Sequence, residues 1–141
     1  MAVSITRLAY ELRDHTAWQR TPMPLNDQDY INMVIYGLKR LYIDTARASD
    51  YDKIQFNTSD EDGEITCDIK LPIDEEAYVM LCAQINFMKK VASDVNNIVG
   101  YTTDALTVTN ADKPYANIKD SIASLENERR ITYYKMVRYT L

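Results

Sequence analysis

The chain has 141 residues, 46% of them apolar and 26% charged, with a net charge of −5. That length fits one domain around one core, and the acidic balance argues against a general nucleic-acid binder, which would carry a basic excess. No apolar run reaches the roughly 18 residues that a membrane span needs.

The first segment, interrupted by Arg7, Glu11, Arg13 and Asp14, has no signal-peptide core, so synthesis in the cytoplasm is expected. Residues 4–15 read as a short helix with Ser4 as N-cap and Ile5, Leu8, Ala9 and Leu12 as its inner stripe. Trp18 is expected to anchor the following connection on the core. Thr21-Pro22-Met23-Pro24 then breaks any helix, because two prolines remove donors and fix φ.

A second helix is predicted over 27–47, capped by Asn26, with Asp27 and Asp29 in its first turn. Ile31, Val34, Ile35, Leu38, Leu41 and Tyr42 make its inner stripe. Met33, Tyr36 and Ile43 fall on the opposite face with Arg40 among them. They are either scattered surface residues or a subunit contact.

The period changes over 48–73, where Ile54 and Phe56, then Ile65, Cys67 and Ile69, alternate with polar residues. The turn Ser59-Asp60-Glu61-Asp62-Gly63 between them predicts a two-stranded hairpin inserted at about 53–70. Alone it would be marginal, so it lies on the helices or meets a partner.

Residues 74–99 form the predicted central helix, entered by Pro72, capped by Asp74 and closed by Gly100 at C′. Tyr78, Leu81, Cys82, Ile85, Met88, Ala92, Val95 and Val99 share one face, continued by Met80, Ala83, Phe87, Val91 and Ile98. Asn86, Lys89, Lys90, Ser93 and Asn97 fill a narrower polar strip. A helix apolar over more than half its circumference must be covered from several sides. After a threonine-rich connection pinned by Leu106 and Val108, a last helix starts near Ala111, with Asn110 as cap and Pro114 in the first turn. Its stripe is Tyr115, Ile118, Ile122, Leu125, Tyr133 and Met136; Arg129, inside that stripe, is expected to snorkel. The predicted fold is mainly α: one domain over 1–141, a small helical bundle around a long central helix, with an inserted β-hairpin.

Eleven tyrosines against two phenylalanines and one tryptophan suit half-buried rim positions or an interface equally. Catalysis has little to work with. His15 is the only histidine and is expected to be solvated, and three scattered glycines make no phosphate loop. Asp60, Asp62 and Gly63 align with part of a calcium loop, but Ile69 stands where its bidentate glutamate belongs. Cys67 and Cys82 make no metal or redox spacing and read as buried thiols. The sequence therefore predicts no catalytic, cofactor-binding or metal site. Arg129, Arg130, Lys135 and Arg138 are its best basic cluster, mixed with Glu126 and Glu128.

From Val95 to Tyr139 the chain has the end of a long apolar helix, a glycine-containing exit, a short Thr/Val stretch, then Ala-Asp-Lys-Pro opening an amphipathic helix. With the early short helix and the capped segment LNDQDYINMVIYGLKRLY, this order of elements resembles the head–tail connector adaptors, or head-completion proteins, of tailed bacteriophages. The resemblance is one of element lengths and caps. It implies a non-enzymatic virion protein at the head–tail interface that forms a twelvefold ring beneath the portal. Its partners would be further copies of itself, the portal protein and a stopper or tail-completion protein, with DNA passing through its channel without sequence-specific binding. No membrane is implied.

By position at the carboxy-terminal end, Lys135, Arg138, Tyr139 and Leu141 would contact the portal. Met33, Tyr36, Arg40 and Ile43 would form one lateral subunit surface, with Ile131 and Tyr134 on the other, since a head-to-tail contact needs two different surfaces. Asp60, Glu61, Asp62 and Glu64 would line the channel or form a solvated turn. The reading from another class is a small helical regulator binding a partner protein or DNA as a monomer or dimer.

Overall fold

The computed structural model describes residues 2–19, 21, 24–102 and 112–140, with side chains other than those of 95–102, 112–116 and 138–140. Its elements are β1 (Val3–Ser4), α1 (Ile5–His15), α2 (Asp27–Asp44), α3 (Ala48–Tyr51), β2 (Phe56–Thr58), β3 (Ile65–Cys67), α4 (Ile73–Thr102) and α5 (Asp112–Thr140). The fold is mainly helical with one small antiparallel sheet. Helix α4 is its axis: α2 and α5 both pack along it, while α1 packs on α2.

Ser4 caps α1 as predicted, its hydroxyl accepting from the Arg7 N–H at 3.1 Å, and Ile5, Leu8, Ala9 and Leu12 are all buried. The same hydroxyl donates to Glu64 at 2.6 Å, and the Ile65 N–H donates to the Thr6 hydroxyl at 2.9 Å. These bonds tie the sheet to the start of α1. The sheet has three strands rather than the expected two, in the order β1-β3-β2. Val3 and Phe56 both pair with the buried Cys67 from opposite sides. A two-residue strand is too short to show any period, which is why β1 left no signal.

Trp18 corrects another expectation: it is 68% exposed and anchors nothing on the core. A bulky residue before a proline pair looks like a pin, but Thr16, hydrogen-bonded at 2.7 Å to the Leu12 carbonyl, closes α1 unaided. Residues 22 and 23 of that connection lie outside the described residues.

Helix α2 opens on a full capping box, Asn26 with Asp29, but ends at Asp44, three residues before its expected limit. Arg47 donates to the Tyr42 carbonyl at 2.7 Å and Ala46 to that of Ile43 at 3.1 Å, the bond pattern of a Schellman stop. Ala46 therefore sits at φ 59°, where glycine would be the usual residue. Ala46→Gly should raise stability by about 0.5–1 kcal/mol, the left-handed penalty removed exceeding glycine's greater freedom in the unfolded chain. A thermal or urea unfolding curve measures the change, and a loss of stability would refute the reading. The inner stripe of α2 is buried apart from half-buried Ile35, and Met33, expected outside, is buried at 4% exposure.

Helix α4 begins one residue before the predicted Asp74 cap. The Glu76 N–H bonds the Pro72 carbonyl at 2.8 Å, so Asp74, Glu75 and Glu76 lie within the first turn, where the helix dipole favours carboxylates. It also runs through Gly100 to Thr102, so Gly100 is not its C′ residue. Tyr78, Val79, Cys82, Ala83, Ile85, Phe87, Met88 and Val91 are buried, while Lys89, Lys90 and Ser93 form the exposed strip. Val79, missing from the predicted face, is wholly buried where α2 crosses close at Gly37. On α5, Ile118 and Met136 are buried and Ile122, Leu125 and Tyr133 half-buried. The expectations for Leu106, Val108 and Asn110, and for the side chains of Val95, Asn97, Ile98, Val99 and Tyr115, fall outside the described residues.

Candidate functional site

Helices α2 and α5 both lie along α4, and the seam between them carries charge rather than hydrocarbon. Asp44, near the end of α2, accepts from Arg40 at 2.9 Å through one oxygen and from the Tyr78 hydroxyl through the other. Both of its oxygens are thus occupied. Burial and the bond to Asp44 hold the Tyr78 phenol well above its ordinary range. On α5, Arg129 is half-buried, and its charge lies close enough to the buried Cys82 thiol, Tyr78 and Asp44 to interact with all three. Burial raises the Cys82 thiol while Arg129 opposes that rise. Arg129 therefore stands beside a thiol, a phenol and a carboxylate rather than among hydrocarbon alone.

The seam opens as a cleft of about 420 Å³ lined by Asp44, Tyr78, Glu126, Arg129, Arg130 and Tyr133. Its two carboxylates pair with cations other than its two arginines. Glu126 is drawn to Lys89 at 3.6 Å, and Asp44 is already held by Arg40. Among the described residues neither Arg129 nor Arg130 has a carboxylate within ion-pair distance; Arg130 bonds only the Asn127 amide oxygen, at 2.8 Å. Arg40 adds a buried Nε that has no hydrogen-bond partner among the described residues. A larger hollow of about 640 Å³ lies at the end of the bundle, between Pro72, Ala46, Met136 and Val137. It is edged by the Arg47–Glu75 ion pair, with Arg47 stacked over the Tyr42 ring at 4.7 Å.

The predicted lateral residues divide. Tyr36 and Ile43 on α2, and Ile131 and Tyr134 on α5, are exposed. Met33 is buried and leaves the set, and Arg40 is half-buried and committed to Asp44. Lys135 is exposed; Leu141 and the side chains of Arg138 and Tyr139 lie outside the described residues.

At the acidic turn, Gly63 takes φ 72°, and the Ser59 N–H bonds the Glu64 carbonyl at 2.9 Å, which closes the hairpin. Asp62 accepts from the Glu64 N–H at 3.1 Å, and this bond holds its carboxyl below the ordinary range. Asp60, Glu61 and Asp62 are exposed, whereas Glu64 is half-buried and occupied by Ser4. His15 is exposed on α1, and Cys67 and Cys82 are both free and buried.

The seam itself was missed at the sequence level. Its signals were an arginine inside the apolar stripe of α5 and a cysteine on the stripe of α4, but nothing in the sequence pairs them with Asp44. Comparison with known proteins finds no matching family, no matching curated protein and no matching solved structure.

Proposed function

We propose that this chain is a non-enzymatic structural subunit of a tailed-phage virion. It acts as a head–tail adaptor that forms a ring beneath the portal, extends the DNA channel and docks the next connector or tail-completion protein. The observation that carries the reading is the pair of separate exposed apolar sites on two different helices, Tyr36 with Ile43 on α2 and Ile131 with Tyr134 on α5. Two unlike surfaces on one subunit allow a head-to-tail contact, which closes into a ring when the rotation permits. The resemblance in order of elements supplies the virion context. Lys135, with Arg138, Tyr139 and Leu141 beyond it, is then the portal-facing end, and DNA passes without sequence-specific contacts.

The test is the mass of the purified protein by native mass spectrometry, alone and mixed with a candidate portal. A closed oligomer, or a complex in the portal's stoichiometry, is expected. A monomer indifferent to the portal would sink the reading, and steep salt-dependent DNA binding would put the small-regulator reading in its place.

A further inference from the structure

Arg129 and Arg130 line the α2–α5 cleft without a carboxylate in ion-pair reach among the described residues, while its carboxylates Asp44 and Glu126 pair with Arg40 and Lys89; the chain carries a matching acidic group elsewhere. Asp60, Glu61 and Asp62 lie exposed in the hairpin turn, and none of the three pairs with a cation among the described residues.

The two groups lie on opposite flanks of the molecule. The sheet packs on α1, and α4 meets the start of α1 through Glu76, which reaches Arg7 at 3.3 Å. At about 100° per residue, Tyr78 and Cys82 of the cleft are turned roughly 200° and 240° round α4 from Glu76. On this wheel the side of α4 that meets α1 and the sheet is turned away from the cleft, which leaves the cleft open to the hairpin of a neighbour. The fit is chemical as well as geometric. Arginine is the side chain best suited to hold carboxylates by two parallel hydrogen bonds, and the cleft has room for one or two acidic side chains.

We propose that the acidic turn Asp60–Asp62 of one copy docks into the arginine cleft of the next, so that this charge pairing sets the direction of the subunit contact. The partner is a second copy of this chain. The inference rests on the ring reading and assigns its contact to named residues. It also places the acidic turn at a neighbour, with no part in the channel wall.

The experiment is a charge swap read by analytical ultracentrifugation at low and high salt. Arg130 is exposed and lies outside the buried seam, so Arg130→Glu is expected to keep the fold, with circular dichroism as the check. Arg130→Glu alone and Asp60→Lys/Glu61→Lys alone should each weaken self-association about tenfold or more, while the combined triple variant should regain it. The wild-type assembly should loosen as salt rises. An assembly untouched by either charge reversal overturns this contact and leaves the ring reading standing. So does a triple variant that regains nothing. A wild type that stays monomeric at low salt and beside the portal overturns both.

Discussion

Gly37→Ala should cost about 1–2 kcal/mol of folding stability, and Gly37→Leu should prevent α2 from seating on α4 at all. A Cβ at this position would lie 2.4 Å from the Val79 carbonyl oxygen and 3.3 Å from the Val79 Cγ1. The first of these atoms is backbone in a helix whose neighbouring side chains are buried, so it cannot swing aside as a flexible side chain would. Overpacking of this kind typically costs about 1–3 kcal/mol. On an unobstructed helix the same substitution would be worth up to about 1 kcal/mol of gain, because alanine is the better helix former. The sign of the result is therefore diagnostic. Urea unfolding followed by circular dichroism gives it directly, and an alanine variant more stable than the wild type would show that the two helices can separate freely. The consequence reaches the cleft, whose α2 wall carries Asp44 seven residues, about two turns, beyond Gly37. Moving α2 off α4 should pull Asp44 away from Tyr78 and loosen any assembly that uses the cleft.

How much of this was legible in the sequence depended on whether the signal was periodic or tertiary. Ser4 and Asn26 were readable as caps because each side chain bonds a backbone N–H three residues on. The stripes of α1 and α2 were readable because apolar burial repeats at helical spacing. The end of α2 was not, because its Schellman stop uses Ala46, and alanine inside a helical pattern argues for continuation. Gly100 misled in the opposite sense: it looks like a terminator, yet α4 continues through it. Met33 was assigned outward from the wheel of α2 alone, a view blind to a third helix; its burial at 4% depends on where the helices sit relative to one another. The seam escaped for the same reason. Asp44, Cys82 and Arg129 stand on three helices far apart in sequence, and only their packing makes them one site.

That seam, together with the buried thiols and phenols elsewhere in the fold, makes the protein sensitive to alkali in a predictable direction. Burial pushes the Cys67 thiol up to about 11, with Asp68 adding to the rise. Cys82 is raised by burial against the opposing pull of Arg129, and Tyr78 by burial and its bond to Asp44. Burial also raises Tyr30, Tyr42 and Tyr51. Each group keeps its proton in the folded chain at a pH where the unfolded chain has released it. The stability these groups contribute is fully present below their unfolded values and falls as pH rises toward the folded ones. The loss starts above about pH 8.5, where an unfolded thiol ionises, and steepens above about pH 10 as unfolded tyrosines follow. Each proton so retained costs about 1.4 kcal/mol per pH unit. For the fully buried Cys67 the interval to about 11 amounts to about 3 kcal/mol. Urea midpoints taken from neutral to strongly alkaline pH should stay level and then decline. Cys67→Ala should shallow the first part of that decline, and Tyr78→Phe the second. A wild-type midpoint that stays level beyond about pH 10, where the unfolded tyrosines ionise, would mean that these groups reach solvent in the folded protein. Helices α2, α4 and α5 would then be less closely joined at the seam than Asp44, Tyr78 and Arg129 make them.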